Sequence, residues 1–189
     1  MKYLIPYALL AALPAFSQSG DCSKVFQTSQ AAGGNVSMTL RAGDIDVVGT
    51  KNSVIRVTCD LSDRVDASKV KISFAAGRLR VQGGPNNGVK YRVELPEKTS
   101  VLIRATAGDM HVTGLIGDKD IELNAGDLIV EVGDPKLYKV AEGKVMAGNI
   151  SARPFGSQKD GLFRSFRKDS SSGQYRLRAE LMAGDLTLK

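Results

Sequence analysis

Apolar and polar residues alternate in short runs along most of this chain, and many of the runs start just after the same kind of tripeptide. Ile45 and Val47 fall on one side of a run, with Asp46 and Val48 on the other. Met110 and Val112 oppose His111 and Thr113, and Leu186 and Leu188 oppose Thr187 and Lys189. Successive side chains of a strand point to opposite faces, so this is the signature of half-buried β-strands. The pattern predicts further strands over 54–59, 70–74, 89–95, 101–104, 121–124 and 175–182. No segment repeats its apolar residues at helical spacing. The best helix candidate, 135–140, is too short to matter.

The recurring tripeptide is Ala-Gly followed by Asp, Asn or, once, Arg. It occurs at Ala42-Gly43-Asp44, Ala76-Gly77-Arg78, Ala107-Gly108-Asp109, Ala125-Gly126-Asp127, Ala147-Gly148-Asn149 and Ala183-Gly184-Asp185. Gly reaches positive φ without a steric penalty, and Asp or Asn can accept hydrogen bonds from nearby backbone N–H groups. Each unit therefore reads as a turn feeding a strand. Ala107 to Ala125 is 18 residues, Ala125 to Ala147 is 22, and Ala147 to Ala183 is 36. The last step is two coils of 18 with a copy missing, and the earlier steps of 34 and 31 read as pairs of coils with one copy degraded. Coils of two short strands, stacked to bury a ladder of Val, Ile and Leu, make an all-β β-solenoid. A β-sandwich with regular turn spacing is the alternative. The stretch 83–88 is expected to be a loop, and 153–173 an insertion or long hairpin leaving the stack.

The N-terminus changes the setting. Lys2 precedes an apolar stretch over 3–16, and Ala15 and Ser17 put small residues at −3 and −1 of a cleavage site. This is the layout of a secretory signal peptide over 1–17, leaving one domain over 18–189. The expected product is exported, to the periplasm, the cell surface or the medium, with no transmembrane span after cleavage. In such a compartment Cys22 and Cys59, the two cysteines, are expected to form a disulfide. Loss of Lys2 lowers the net charge from +6 to +5, a mildly basic balance that favours acidic surfaces.

The Ala-Gly-Asp units carry a resemblance. Together with Leu95-Pro96 leading through a strand into Ala107-Gly108-Asp109, and the ending Gly161-Leu162-Phe163, Gly173-Gln174-Tyr175 and Ala183-Gly184-Asp185-Leu186, they resemble the bacterial "putative adhesin" domains of unknown function. The likeness runs from Cys22 to Lys189. It implies a right-handed β-helix or β-solenoid behind a signal peptide, and it brings no catalytic residue.

Little in the chain points to chemistry. His111 is the single imidazole, on the polar side of a strand, with no partner signalled for a catalytic triad. Asp44, Asp109, Asp127 and Asp185 recur at one repeat position. A glycosidase needs two carboxylates in different environments, whereas a row of turn residues offers one environment, and these are expected to bond their own turns. Calcium-binding rolls need more oxygens per turn than one Asp supplies. The expectation is therefore no enzyme, no cofactor and no metal. The basic segment Arg164, Arg167, Lys168, Arg176 and Arg178, interleaved with Phe163, Phe166 and Tyr175, suits an anionic ligand. Expected partners are envelope glycans, anionic polymers or surface proteins, and not nucleic acid. The reading is an adhesin-like interaction domain. A carbohydrate-active enzyme on a β-helix scaffold and a module for anionic envelope polymers are the alternatives.

Overall fold

Alternating strands need backbone partners at their edges and a cover for their apolar sides, and this chain meets both needs with two facing sheets. A computed structural model describes residues 17–85 and 88–189. Apart from Ser17, the expected leader lies outside these residues, as do Asn86 and Asn87 of the expected loop. The strands of the first half are β1 (Gln18–Asp21), β2 (Phe26–Ser29), β3 (Asn35–Ala42), β4 (Asp44–Thr50), β5 (Val54–Leu61), β6 (Val70–Ala75), β7 (Arg78–Gly83), β8 (Val89–Pro96) and β9 (Ser100–Ala107). Those of the second are β10 (Met110–Thr113), β11 (Lys119–Ala125), β12 (Leu128–Val130), β13 (Tyr138–Ala147), β14 (Ile150–Ala152), β15 (Ser157–Lys159), β16 (Leu162–Asp169), β17 (Tyr175–Ala183) and β18 (Leu186–Leu188). The short helix candidate is one 3₁₀ turn, Pro135–Leu137.

The first sheet has the order β1-β6-β7-β3-β9-β11-β17-β13-β16, and the second β15-β14-β18-β12-β10-β4-β8-β5-β2. Their inner faces share one core, in which Ile45, Val47, Ile103, Ile121, Leu128 and Leu186 are fully buried. Five strand pairs cross from the first sheet to the second through an Ala-Gly-Asp or Ala-Gly-Asn turn: β3–β4, β9–β10, β11–β12, β17–β18 and β13–β14. Their strands run parallel and in register, with Ala42 beside Ala107, Ala107 beside Ala125, Ala125 beside Ala183, and Ala183 beside Ala147. The fold is thus all-β, two large mixed sheets, with no closed barrel among the described residues. The two-layer sandwich admitted as an alternative describes it as well as a stack of coils does.

Three expectations are corrected. Ala76-Gly77-Arg78 is not a crossing between sheets. It joins the antiparallel neighbours β6 and β7, with Ala76 at φ 48° and Gly77 at φ 74°, the backbone of a tight primed hairpin turn. The 36-residue step holds no missing copy, because the final pair β17–β18 inserts between β11–β12 and β13–β14. Residues 153–173 do not leave the stack either. Their strands β15 and β16 pair antiparallel with β14 and β13 and form the edge of each sheet.

The opposite end is tied covalently. Cys22, just after β1 on the edge of the first sheet, is disulfide-bonded to Cys59 of β5 in the second, with Cα atoms 5.5 Å apart. Among the described residues no helix is long and apolar enough to cross a membrane.

Candidate functional site

The crossing turns stack into a ladder along one rim of the molecule. The N–H groups of Gly43, Gly108, Gly126 and Gly184 donate to Ala107, Ala125, Ala183 and Ala147 carbonyls at 3.0–3.1 Å. The residue after each Asp donates likewise to the Asp or Asn carbonyl of the next turn, as Met110 does to Asp127 at 2.8 Å. Gly126 shows why glycine is required. Its φ is +122°, and a Cβ placed there would overlap the Gly108 carbonyl oxygen. Gly108, Gly148 and Gly184 face the same obstacle one turn along.

Contrary to the expectation from the sequence, Asp109, Asp127 and Asp185 bond the next turn along and not their own. Asp109 Oδ1 accepts from the Asp127 N–H at 3.0 Å, and Asp127 Oδ1 from the Asp185 N–H at 2.9 Å. Asp185 Oδ1 accepts from both Asn149 N–H and Asn149 Nδ2 at 2.9 and 3.0 Å. The backbone amide sits one coil away because parallel register brings equivalent residues side by side. These carboxylates therefore share one environment and one task. Asp44, at the end of the row, instead lines a shallow pocket of about 550 Å³ with Asp60, Ser62 and Lys90. His111 stands outward on β10 opposite Asp46, whose carboxylate is 3.3 Å from Lys90 Nζ. Among the described residues no group of three His, Cys, Asp or Glu side chains could hold a metal ion.

The five basic residues of the 163–178 segment are separated by the fold. Arg164 and Lys168 lie opposite Val145 and Ala141, on the side of β16 that turns toward the core, and flank the buried Phe166. Phe166 stacks on Phe155 at 6.1 Å, and Phe155 meets Tyr138 edge-on at 6.3 Å, so these rings cap the end of the core. Arg167, Arg176 and Arg178 point outward from the first sheet. Arg178 is 2.7–3.1 Å from Glu180, Glu122 and Asp120, and Arg167 is 3.0 Å from Glu142 and 2.9 Å from Asp169. Its hydrogen bond with Arg167 holds the Asp169 carboxyl below the usual range. Arg104, at 3.1 Å from Asp120 and 2.9 Å from Glu122, extends this lattice over β9, β11, β17, β13 and β16. An open cleft of about 350 Å³ among Asp118, Asp120, Glu142, Arg167 and Arg176 lies in it, with both signs of charge on its walls.

One group escaped the sequence reading. Lys119, 1% exposed, points into the core beneath this lattice. Its Nζ donates to the Tyr138 hydroxyl, lies 3.5 Å from the Gly117 carbonyl, and sits 4.9 Å from the Tyr138 ring centre. Burial pushes the lysine down to about 8, against the pull of Asp118, and pushes Tyr138 up to about 12. The signal was present in the alternation, since Lys119 shares the parity of Ile121 and Leu123.

No family model matches the chain, and no curated protein matches it in sequence. A solved structure is similar to it in fold: a "putative cell adhesion protein" from Clostridium sporogenes ATCC 15579, 11% identical, with a TM-score of 0.52 over 88% of this chain and 98% of that one.

Proposed function

We propose that the chain is an exported, non-catalytic interaction domain of the bacterial cell envelope, adhesin-like in role and built as a β-solenoid whose coils are the five crossing pairs. The support for the coil reading is the in-register parallel pairing of those pairs and the ladder between their turns. The support for the role is the architecture itself. Two nine-stranded sheets spend their inner faces on a core and turn two broad outer faces to the surroundings, and such faces suit extended contact with another surface. The likeness in fold to the cell adhesion protein agrees with this reading. The disulfide supports export to an oxidising compartment, and a cleavage after Ser17 would leave β1 intact and paired to β6.

The test is fractionation of cells producing the tagged full chain, followed by binding of the purified domain to isolated envelope. Recovery in the periplasm or at the surface, together with saturable binding to envelope, is expected. Cytoplasmic retention as a full-length chain, or turnover of envelope polysaccharide measured as released reducing ends, overturns it.

A further inference from the structure

The outward positions at the disulfide end of the first sheet have an unusual composition. They are Lys71, Ser73 and Ala75 on β6, Arg78, Arg80 and Gln82 on β7, and Asn35, Ser37, Thr39 and Arg41 on β3. None is a carboxylate. Lys71 meets Asp21 of β1 at 3.7 Å. Arg41, Arg78 and Arg80 are exposed and, among the described residues, take part in no ion pair and no side-chain hydrogen bond. Nothing in the fold requires arginine at these three places, since a serine or threonine would keep the alternation and avoid the like-charge repulsion.

The register spaces these cations as a lattice. Arg78 lies beside Ser37 and Arg80 beside Thr39, with Arg41 one strand over and two residues along from Thr39. Strand geometry puts Arg78 and Arg80 about 7 Å apart, and adjacent strands about 5 Å apart. Guanidinium groups bind carboxylate, sulfate and phosphate in bidentate fashion. The hydroxyls of Ser37, Thr39 and Ser73 and the Gln82 amide lie on the same face next to these arginines, ready for sugar hydroxyls. No aromatic side chain stands on this face, so it lacks the stacking platform that single-stranded nucleic acid uses.

We propose that this face, centred on Arg41, Arg78 and Arg80, binds an extended acidic polysaccharide, one bearing carboxylate, sulfate or phosphate groups along its length. The proposal rests on the interaction role above and gives it a ligand class. It also places the anion contact at the opposite end of the sheet from the basic 163–178 segment, where ion pairs already occupy Arg167 and Arg178.

The test compares the full mature chain with R41S/R78S/R80S and with R164S/R167S/K168S, using heparin and polygalacturonate as acidic glycans and a single-stranded DNA oligomer of matched charge. The first variant removes no side-chain partner, so its circular dichroism and melting temperature should match wild type. Its affinity for both glycans should fall at least tenfold, and the slope of log affinity against log salt should flatten by about 2–3, near one per lost contact. The second variant should stay within about threefold of wild type, less than one charge contact is worth. Unchanged glycan binding by folded R41S/R78S/R80S overturns the proposal, as does tighter binding of the DNA than of either glycan. Binding to isolated envelope separates the two levels. If wild type and the first variant bind it equally, the interaction role stands and this site falls. If wild type binds neither envelope nor glycan, both fall.

Discussion

The two ends of the first sheet use arginine in opposite ways. On β9, β11, β17, β13 and β16, Arg104, Arg178 and Arg167 are interlocked with Asp120, Glu122, Glu142, Glu180 and Asp169. On β7 and β3, Arg41, Arg78 and Arg80 stand on the same outward face with no carboxylate beside them. Both groups follow the same alternation, so burial does not separate them. The difference lies one strand over, because parallel register sets Asp120 beside Arg178 but Ser37 beside Arg78. An outward arginine is part of the framework only where its cross-strand neighbour is acidic. The ends also differ in how their layers are joined, by a disulfide at the end that holds Arg41, Arg78 and Arg80 and by the ring cap at the other, while the turn ladder, which starts at Gly43, runs between them.

Removing the fastenings one at a time tests this comparison. The largest effect is expected from Cys22→Ser with Cys59→Ser. The bridge closes a separation of 37 residues, worth about 4 kcal/mol in the loop-entropy account. Denaturant titration should show that loss, and thiol titration of the unfolded, unreduced wild type should find no free thiol. Loss of less than about 1 kcal/mol would mean that β1 and β2 hold their end without it.

Next comes the ladder. Gly126→Val forces a side chain onto a carbonyl at positive φ and should cost about 3 kcal/mol in thermal unfolding. Asp127→Ala gives up one exposed hydrogen bond, about 1 kcal/mol. Equal losses would show that the aspartate row holds the stack as much as the glycines do.

Lys119 sharpens the contrast through pH. Its ordinary value is 10.5 and its folded value about 8, so from pH 8 to 10.5 the unfolded chain carries more protons and stability rises with pH. Tyr138, raised from 10.0 to about 12, takes stability away between those values. Lys119→Met should therefore stabilise the protein by about 2 kcal/mol at pH 7 and by little at pH 10. Melting curves at the two pH values check this, and a variant destabilised at pH 7 would show that the Tyr138 contact outweighs desolvation.

The smallest effects test the comparison itself. Arg178→Met strands several carboxylates on a half-exposed face and should cost about 1 kcal/mol. Arg80→Met breaks no pair and should stay within about 0.5 kcal/mol. Matching losses in thermal unfolding would erase the distinction drawn between the two ends.

Local physics explains what could be read from the chain alone. Period-two alternation places Ile45, Val47, Met110, Val112, Leu186 and Leu188 inside without reference to any partner, and all six are buried. Every strand expected between the turns is present, because an alternating run has one way to hide its apolar side. The joining of Cys22 to Cys59 followed from there being two cysteines and from the expectation of export. What local rules could not supply is who sits beside whom. Ala-Gly-Arg looks like the other tripeptides, yet it closes a hairpin, because the strand after it has its neighbour in the same sheet. The aspartates reach the next turn, 18 to 58 residues away, only after the coils are stacked. The C-terminal pair slots between two earlier pairs, and that insertion brings Arg178 to Asp120 and Glu142. Charge counted along the sequence gathers at 163–178, but ion pairing acts across strands. The tertiary register put Arg167 and Arg178 of that segment into ion pairs and, among the described residues, left Arg41, Arg78 and Arg80 outside any, as it did Arg164, Lys168 and Arg176.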